Sequence, residues 1–283
     1  MSMLDLKPVS LTCLHMLGVP FGEPSRYSFE ERVAAAATDG IADLGMDASE
    51  FDTLLAERSA DDIKAILKDH GVRFGELMGH YGWHFGGDYG KQARQMEDRL
   101  YEICDTFEIT NLKTFVMTPT EMPTKEELVE RFTGVCDRAA GHGVQMVLEP
   151  VTVNPGFGYT EAIDLLIAAD RPNTGLMIDC WHFFRDPDNY KALDRLPAKY
   201  FLGVELRDAA AEPQGSRQDD CTTYNKLPGQ GEFDLLGLLR HLDSRGIDVP
   251  LSVECMSDEL RKVSAQENVD LTVAAVRSLL AGA

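Results

Sequence analysis

The feature that most limits what this chain can become is a rhythm in which short apolar runs alternate with stretches of helical spacing, eight times over. The strand-like runs are Lys7–Met16, Ile41–Met46, Val72–Met78, Asn111–Met117, Gln145–Glu149, Gly175–Asp179, Tyr200–Leu206 and Pro250–Cys255. The stretches between them place apolar residues three and four apart, as a helix with one buried face requires. They run from the Ser28 cap to Thr38, over Ala60–His70 and Tyr89–Phe107, and from the Thr124 cap to His142. Four more follow at Thr160–Ala169, Asp188–Leu196, Phe233–Arg245 and Glu259–Leu280. Strands separated by helices predict a parallel sheet, and eight such units predict an α/β chain closed as a single (β/α)8 barrel over residues 1–283. An open doubly wound sheet would carry a glycine-rich phosphate turn after its first strand, and Gly18-Val19-Pro20-Phe21-Gly22 lacks that spacing. The one long connection, 209–232, reads as a lid or rim of the barrel rather than a linker.

Four of the apolar runs carry an acid at their last or next-to-last position: Glu149, Asp179, Glu205 and Glu254. In a barrel these positions lie at the carboxyl-terminal face, where active groups are carried. Side chains alternate along a strand, so with Leu148, Ile178, Val204 and Val253 facing the helices, the four acids face inward. Four converging carboxylates hold one another protonated unless a cation joins them. A divalent ion resolves that cost, and oxygen-only ligation suits Mn²⁺ or Mg²⁺ better than Zn²⁺.

Charge narrows the partners. With 47 acidic against 27 basic residues and a net charge of −20, the surface repels nucleic acid and anionic membranes. That leaves a small-molecule partner, neutral or cationic rather than multiply phosphorylated, and is compatible with a homo-oligomer. No apolar run reaches the roughly 18 residues of a membrane span. Met1-Ser2-Met3-Leu4-Asp5 has no basic-then-apolar leader pattern, so the expected location is the cytoplasm. The six cysteines are widely spaced among apolar residues, which predicts buried free thiols rather than disulfides or a thiolate zinc site.

Five motifs carry a resemblance. Leu148-Glu149-Pro150, Ile178-Asp179-Cys180-Trp181-His182 and Val204-Glu205-Leu206-Arg207-Asp208 are three of them. Leu227-Pro228-Gly229-Gln230-Gly231-Glu232-Phe233-Asp234 and Leu251-Ser252-Val253-Glu254 complete the set. Together they resemble the xylose isomerase-like barrel superfamily, in particular its sugar phosphate isomerase/epimerase and inosose dehydratase branch. The resemblance implies one divalent ion, Mn²⁺ foremost with Mg²⁺ or Co²⁺ as alternatives, held at Glu149, Asp179, Glu205 and Glu254. Two positions depart from that pattern. Glu205 stands where most of the branch has His, and Pro155 stands where the epimerases carry a second catalytic Glu.

His182, three residues after Asp179, matches a substrate-binding His of the family and is the obvious replacement ligand if Glu205 turns away. Arg207 shares the inward parity of Glu205 and can hold a substrate oxygen or neutralise the acids. His80, Trp83 and His84 follow the third strand and are candidates to wall a carbohydrate pocket. The resemblance implies a metal-dependent isomerase or epimerase acting on a sugar or cyclitol carbonyl compound through a metal-stabilised enediolate. Glu149, Glu254 and His182 are the candidate proton carriers. A lyase using the same site, by dehydration or β-elimination, is the nearest alternative. A barrel retained as a non-catalytic ligand-binding or partner subunit is the other.

Overall fold

A computed structural model describes residues 2–6, 8–116, 122–153 and 156–282. Eight parallel strands close into a barrel in sequence order, β1 to β8, each hydrogen-bonded to the next and β8 to β1. They are β1 Val9–Leu11, β2 Asp43–Asp47, β3 Arg73–His80, β4 Asn111–Phe115, β5 Gln145–Glu149, β6 Thr174–Asp179, β7 Phe201–Leu206 and β8 Leu251–Val253. The helices are α1 Phe29–Thr38, α2 Ala48–Glu57, α3 Ala60–His70, α4 Gly87–Phe107, α5 Lys125–Ala140, α6 Tyr159–Ala169, α7 Cys180–Phe184, α8 Asn189–Leu193, α9 Arg217–Thr222, α10 Leu235–Ser244 and α11 Ala265–Ala281.

The expected (β/α)8 barrel is therefore the fold. Its helices start where their sequences supply caps. Ser28 with Glu31, Ser59 with Asp62, and Thr124 with Glu127 form reciprocal capping boxes, each contributing about 1 kcal/mol. α3 stops at Gly71, whose φ of 67° is open to glycine without strain. Gly45 serves packing instead, because a Cβ there would lie 2.9 Å from the backbone nitrogen of Cys13.

Three helices lie outside the expected eight. Asp47 caps α2 directly after β2 by accepting from the Ser49 amide at 2.8 Å. α7 spans five residues and α9 six, each shorter than two helical turns, so neither displays a readable apolar period. α9 gives the 209–232 connection a core, and Asp208 anchors the rest of it. The Asp208 carboxylate accepts from the amides of Ala209 and Gly229 at 2.9 Å, Gly231 at 3.0 Å and Phe233 at 3.1 Å. The expected first strand is shorter than its apolar run, whose end winds into a 3₁₀ turn at Leu14–Met16. Met117 lies outside the described residues. All six cysteines are free and buried. Among the described residues no helix is long and apolar enough to cross a membrane.

His15 joins the start of the chain to its end. Its Nδ1 accepts from the Cys255 amide at 3.2 Å, and its Nε2 meets the Thr272 hydroxyl at 3.0 Å. Burial lowers its pKa from 6.5 to about 4, against the opposing pull of Glu254. The unfolded chain therefore binds a proton that the folded chain refuses, so this contribution is complete above pH 6.5 and is lost as pH falls toward 4. The expected loss is about 1 kcal/mol at pH 5.5 and about 3 kcal/mol at pH 4. Urea midpoints measured between pH 7.5 and 4 check it, and His15→Gln should flatten that dependence.

Candidate functional site

The barrel delivers five carboxylates to its interior. Glu149 ends β5, Asp179 ends β6, Glu205 lies within β7, Glu254 follows β8, and Glu76 lies within β3. The register sets Asp179 opposite Glu205 across β6 and β7. Glu149, Asp179, Glu205 and Glu254 are each no more than 3 % exposed. Burying like charges this closely is costly, and the chain supplies two cations of its own.

The first cation is Lys113, at the middle of β4 and 1 % exposed. Its Nζ is ion-paired to Glu205 Oε1 and lies 3.2 Å from Glu149 Oε2, 3.3 Å from Glu76 Oε1 and 3.9 Å from Glu254 Oε2. Burial opposes its charge, but the four carboxylates together hold its pKa well above the ordinary lysine value. The sequence reading missed this residue. The signal was a lysine inside a buried strand, which survives there only with an acidic partner. The second cation is Arg207, just past β7. Its Nη1 lies 2.9 Å from both Asp179 Oδ2 and Glu254 Oε1, and its other nitrogens hold Asn225 Oδ1 and the Cys221 carbonyl.

With all five carboxylates ionised the two cations would leave a formal charge of −3, and a divalent ion bound there would favour that ionised form. Burial pushes the Glu149 pKa up to about 8, with Lys113 opposing the rise and Glu254 and Asp179 adding to it. The donor atoms of Glu149, Asp179 and His182 lie within 4.8 Å of one another. Two carboxylates and one imidazole form a set that fits a divalent transition metal.

His182 is placed by Asp179 itself, whose Oδ1 accepts from the His182 amide at 2.8 Å and so caps α7. Burial, and then the Arg207 charge, holds the imidazole pKa well below its usual value. The neutral ring is the form that ligates. Its Nδ1 meets the Thr152 amide at 3.2 Å and the Thr152 hydroxyl at 3.3 Å, while Nε2 lies 3.6 Å from Glu149 Oε1. Because Nδ1 accepts from the Thr152 amide, the neutral ring carries its proton on Nε2, facing Glu149, and ligation through Nε2 would require that proton to pass to Nδ1 at the cost of the amide bond.

Of the four expected ligands, the structure thus gathers Glu149 and Asp179 with His182. Glu205 faces Lys113, and Glu254 faces Arg207. Arg207 takes the neutralising role weighed for it rather than pointing a free fork at a substrate.

A cavity of about 120 Å³ opens above this cluster, with Glu149, His182, Arg207 and Glu254 in its lining. Trp83, His80 and His84 do not wall it. Trp83 is buried against Phe132 and donates from Nε1 to the Phe115 carbonyl at 3.0 Å. His80 meets the Thr114 hydroxyl at 2.7 Å and faces Glu97 at 3.4 Å. The His84 ring lies between Trp83 and Phe85. The residues that form the wall instead include Tyr81 and Phe115, whose rings stack at 5.2 Å. A cavity of about 200 Å³ at the amino end of the barrel is lined by Asp43, Arg73 and Asn111 among others, and among the described residues it holds no cluster of this kind. Pro155 lies outside the described residues.

A closed parallel barrel with acids and an imidazole converging at the carboxyl ends of its strands defines a known class of scaffold, and the chain belongs to the xylose isomerase-like TIM barrel family, whose profile matches residues 39–279. Among its relatives is an inosose isomerase of Bacillus velezensis, 28 % identical over 236 residues, covering 75 % of this chain and 81 % of the relative. A 3-dehydroshikimate dehydratase of Pseudomonas aeruginosa is 26 % identical over 264 residues, covering 88 % of this chain but 38 % of that longer protein. The crystal structure of an IolI protein with a bound zinc atom superposes with a TM-score of 0.84 at 18 % identity, covering 98 % of this chain and 99 % of the other.

Proposed function

We propose that the protein is a divalent-metal-dependent enzyme that removes a proton from the carbon beside a carbonyl group. One observation carries this reading: a two-carboxylate, one-imidazole cluster, of which Glu149 and His182 line a cavity that Glu254 also lines. Glu149, Asp179 and His182 hold the ion, which supplies positive charge where an enolate oxygen develops. Glu254 is the proton carrier. Arg207 fixes its Oε1 at 2.9 Å, and Lys113 lies 3.9 Å from Oε2, so the carboxylate is held in one orientation. Lys113 and Arg207 also offset negative charge that would oppose enolate formation. The imidazole in the ligand set moves the preference from Mg²⁺ toward Mn²⁺, Co²⁺ or Zn²⁺, with Mn²⁺ as the working ion.

Return of the proton gives isomerisation or epimerisation. Loss of a β-hydroxyl gives a dehydratase, and the relative that supports this second reading spans 88 % of the chain. Incubation of hydroxyketones with Mn²⁺ in deuterated water separates the outcomes by mass spectrometry. Solvent label at the carbon beside the carbonyl is expected for isomerisation or epimerisation, where a proton returns, and a product lighter by one water for the lyase, where it does not. Full metal occupancy with neither label nor loss of water in any substrate would contradict the proposal.

A further inference from the structure

We propose that the substrate is a small, uncharged cyclic hydroxyketone with an apolar ring face, rather than a polyhydroxylated sugar or cyclitol. The inference takes the reacting atoms from the proposed function and reads the rest of the substrate from the cavity.

The polar side chains of the lining are Glu149, His182, Arg207 and Glu254, with Gln218 and Thr222 of α9. The apolar wall is larger: Leu14, Met78, Phe115 and Val151 pack together, and Val153 and Met256 add to them. Tyr81 extends this wall, its ring stacked on Phe115 with an interplanar angle of 15°. Phe21 stands at the rim, 52 % exposed. A flat aromatic and aliphatic wall receives the face of a ring. Apolar ring surface gains about 25 cal/mol for each Å² it buries there. A hydroxyl aimed at the same wall gives up water for no partner, at about 1–3 kcal/mol. An inosose carries a hydroxyl on every ring carbon except the carbonyl carbon, so several must meet that wall.

Size and charge agree. A dry cavity of about 150 Å³ admits benzene, so a volume of about 120 Å³ with an open mouth suits one six-membered ring. An anionic substrate finds no free counter-charge among the described lining residues. Arg207 is the sole cation there, and every one of its nitrogens is engaged by Asp179, Glu254, Asn225 or the Cys221 carbonyl. Glu254 would repel a carboxylate or phosphate.

Calorimetric titration of the Mn²⁺-loaded protein with 2-hydroxycyclohexanone and with an inosose tests this. The two share the ring, the carbonyl and the adjacent hydroxyl, and differ in the remaining hydroxyls. The expected result is binding of 2-hydroxycyclohexanone at least tenfold tighter. Val151→Thr, which adds a hydroxyl to the wall with little change of shape, should narrow that ratio. Equal or tighter binding of the inosose would overturn the inference, as would a ratio that Val151→Thr leaves unchanged. Binding is read apart from isotope exchange. The expected preference without exchange would sink the proposed reaction alone, and exchange without the preference would sink this inference alone.

Discussion

Lys113→Met is expected to destabilise the metal-free protein by about 3–5 kcal/mol, because it leaves buried carboxylates without their counter-charge. Glu205 loses most, since its Oε1 is paired with Lys113 and its Oε2 has no hydrogen-bond partner. Glu76 and Glu149 lose a cation at 3.3 Å and 3.2 Å. For a chain of 283 residues such a loss lowers Tm by roughly 5–10 °C. The same physics makes the double variant Lys113→Met/Glu205→Leu more stable than Lys113→Met alone, because the second change removes the stranded charge. Urea unfolding of the wild type, both single variants and the double variant closes the cycle, with a coupling of about 1–3 kcal/mol. Additive losses would mean that the two residues do not share a charge.

His182→Ala is expected to weaken divalent-metal binding by about a hundredfold or more, as loss of one of three donors requires. The fold should tolerate it, because α7 is capped by the Asp179 carboxylate on the His182 amide, which alanine retains. Thr152→Val removes the hydroxyl that meets Nδ1 but keeps the ring. It should weaken metal binding by about tenfold, the usual scale for a group that orients a ligand. A binding constant indifferent to both changes would place the ion elsewhere.

The barrel was legible because each strand announces itself locally, in an apolar run bounded by turns, and strand order follows chain order. The acids at the ends of β5 and β6 and just beyond β8 were legible for the same reason. What the sequence concealed was pairing between distant strands. Lys113 within Asn-Leu-Lys-Thr-Phe looks like an ordinary polar residue until β4 faces β7 across the barrel, 92 residues away. Only then is Glu205 seen to pair with a lysine. The expectation that His80, Trp83 and His84 line the pocket failed on direction. They follow β3 as expected, but their rings turn toward the packing beside α4 and α5, where Glu97 and Phe132 receive them. His182 was visible as a candidate, and the five-residue helix that aims it was too short to be seen.

Titration of the metal-stripped protein with Mn²⁺ and with Zn²⁺, run in parallel on the wild type, His182→Ala and Glu205→Gln, bears most directly on the site. One ion should bind per chain, with affinity greatly reduced in His182→Ala and within a few-fold of wild type in Glu205→Gln. Loss of binding in Glu205→Gln with retention in His182→Ala would contradict the Glu149–Asp179–His182 assignment, and no binding to the wild type would contradict the metal site altogether.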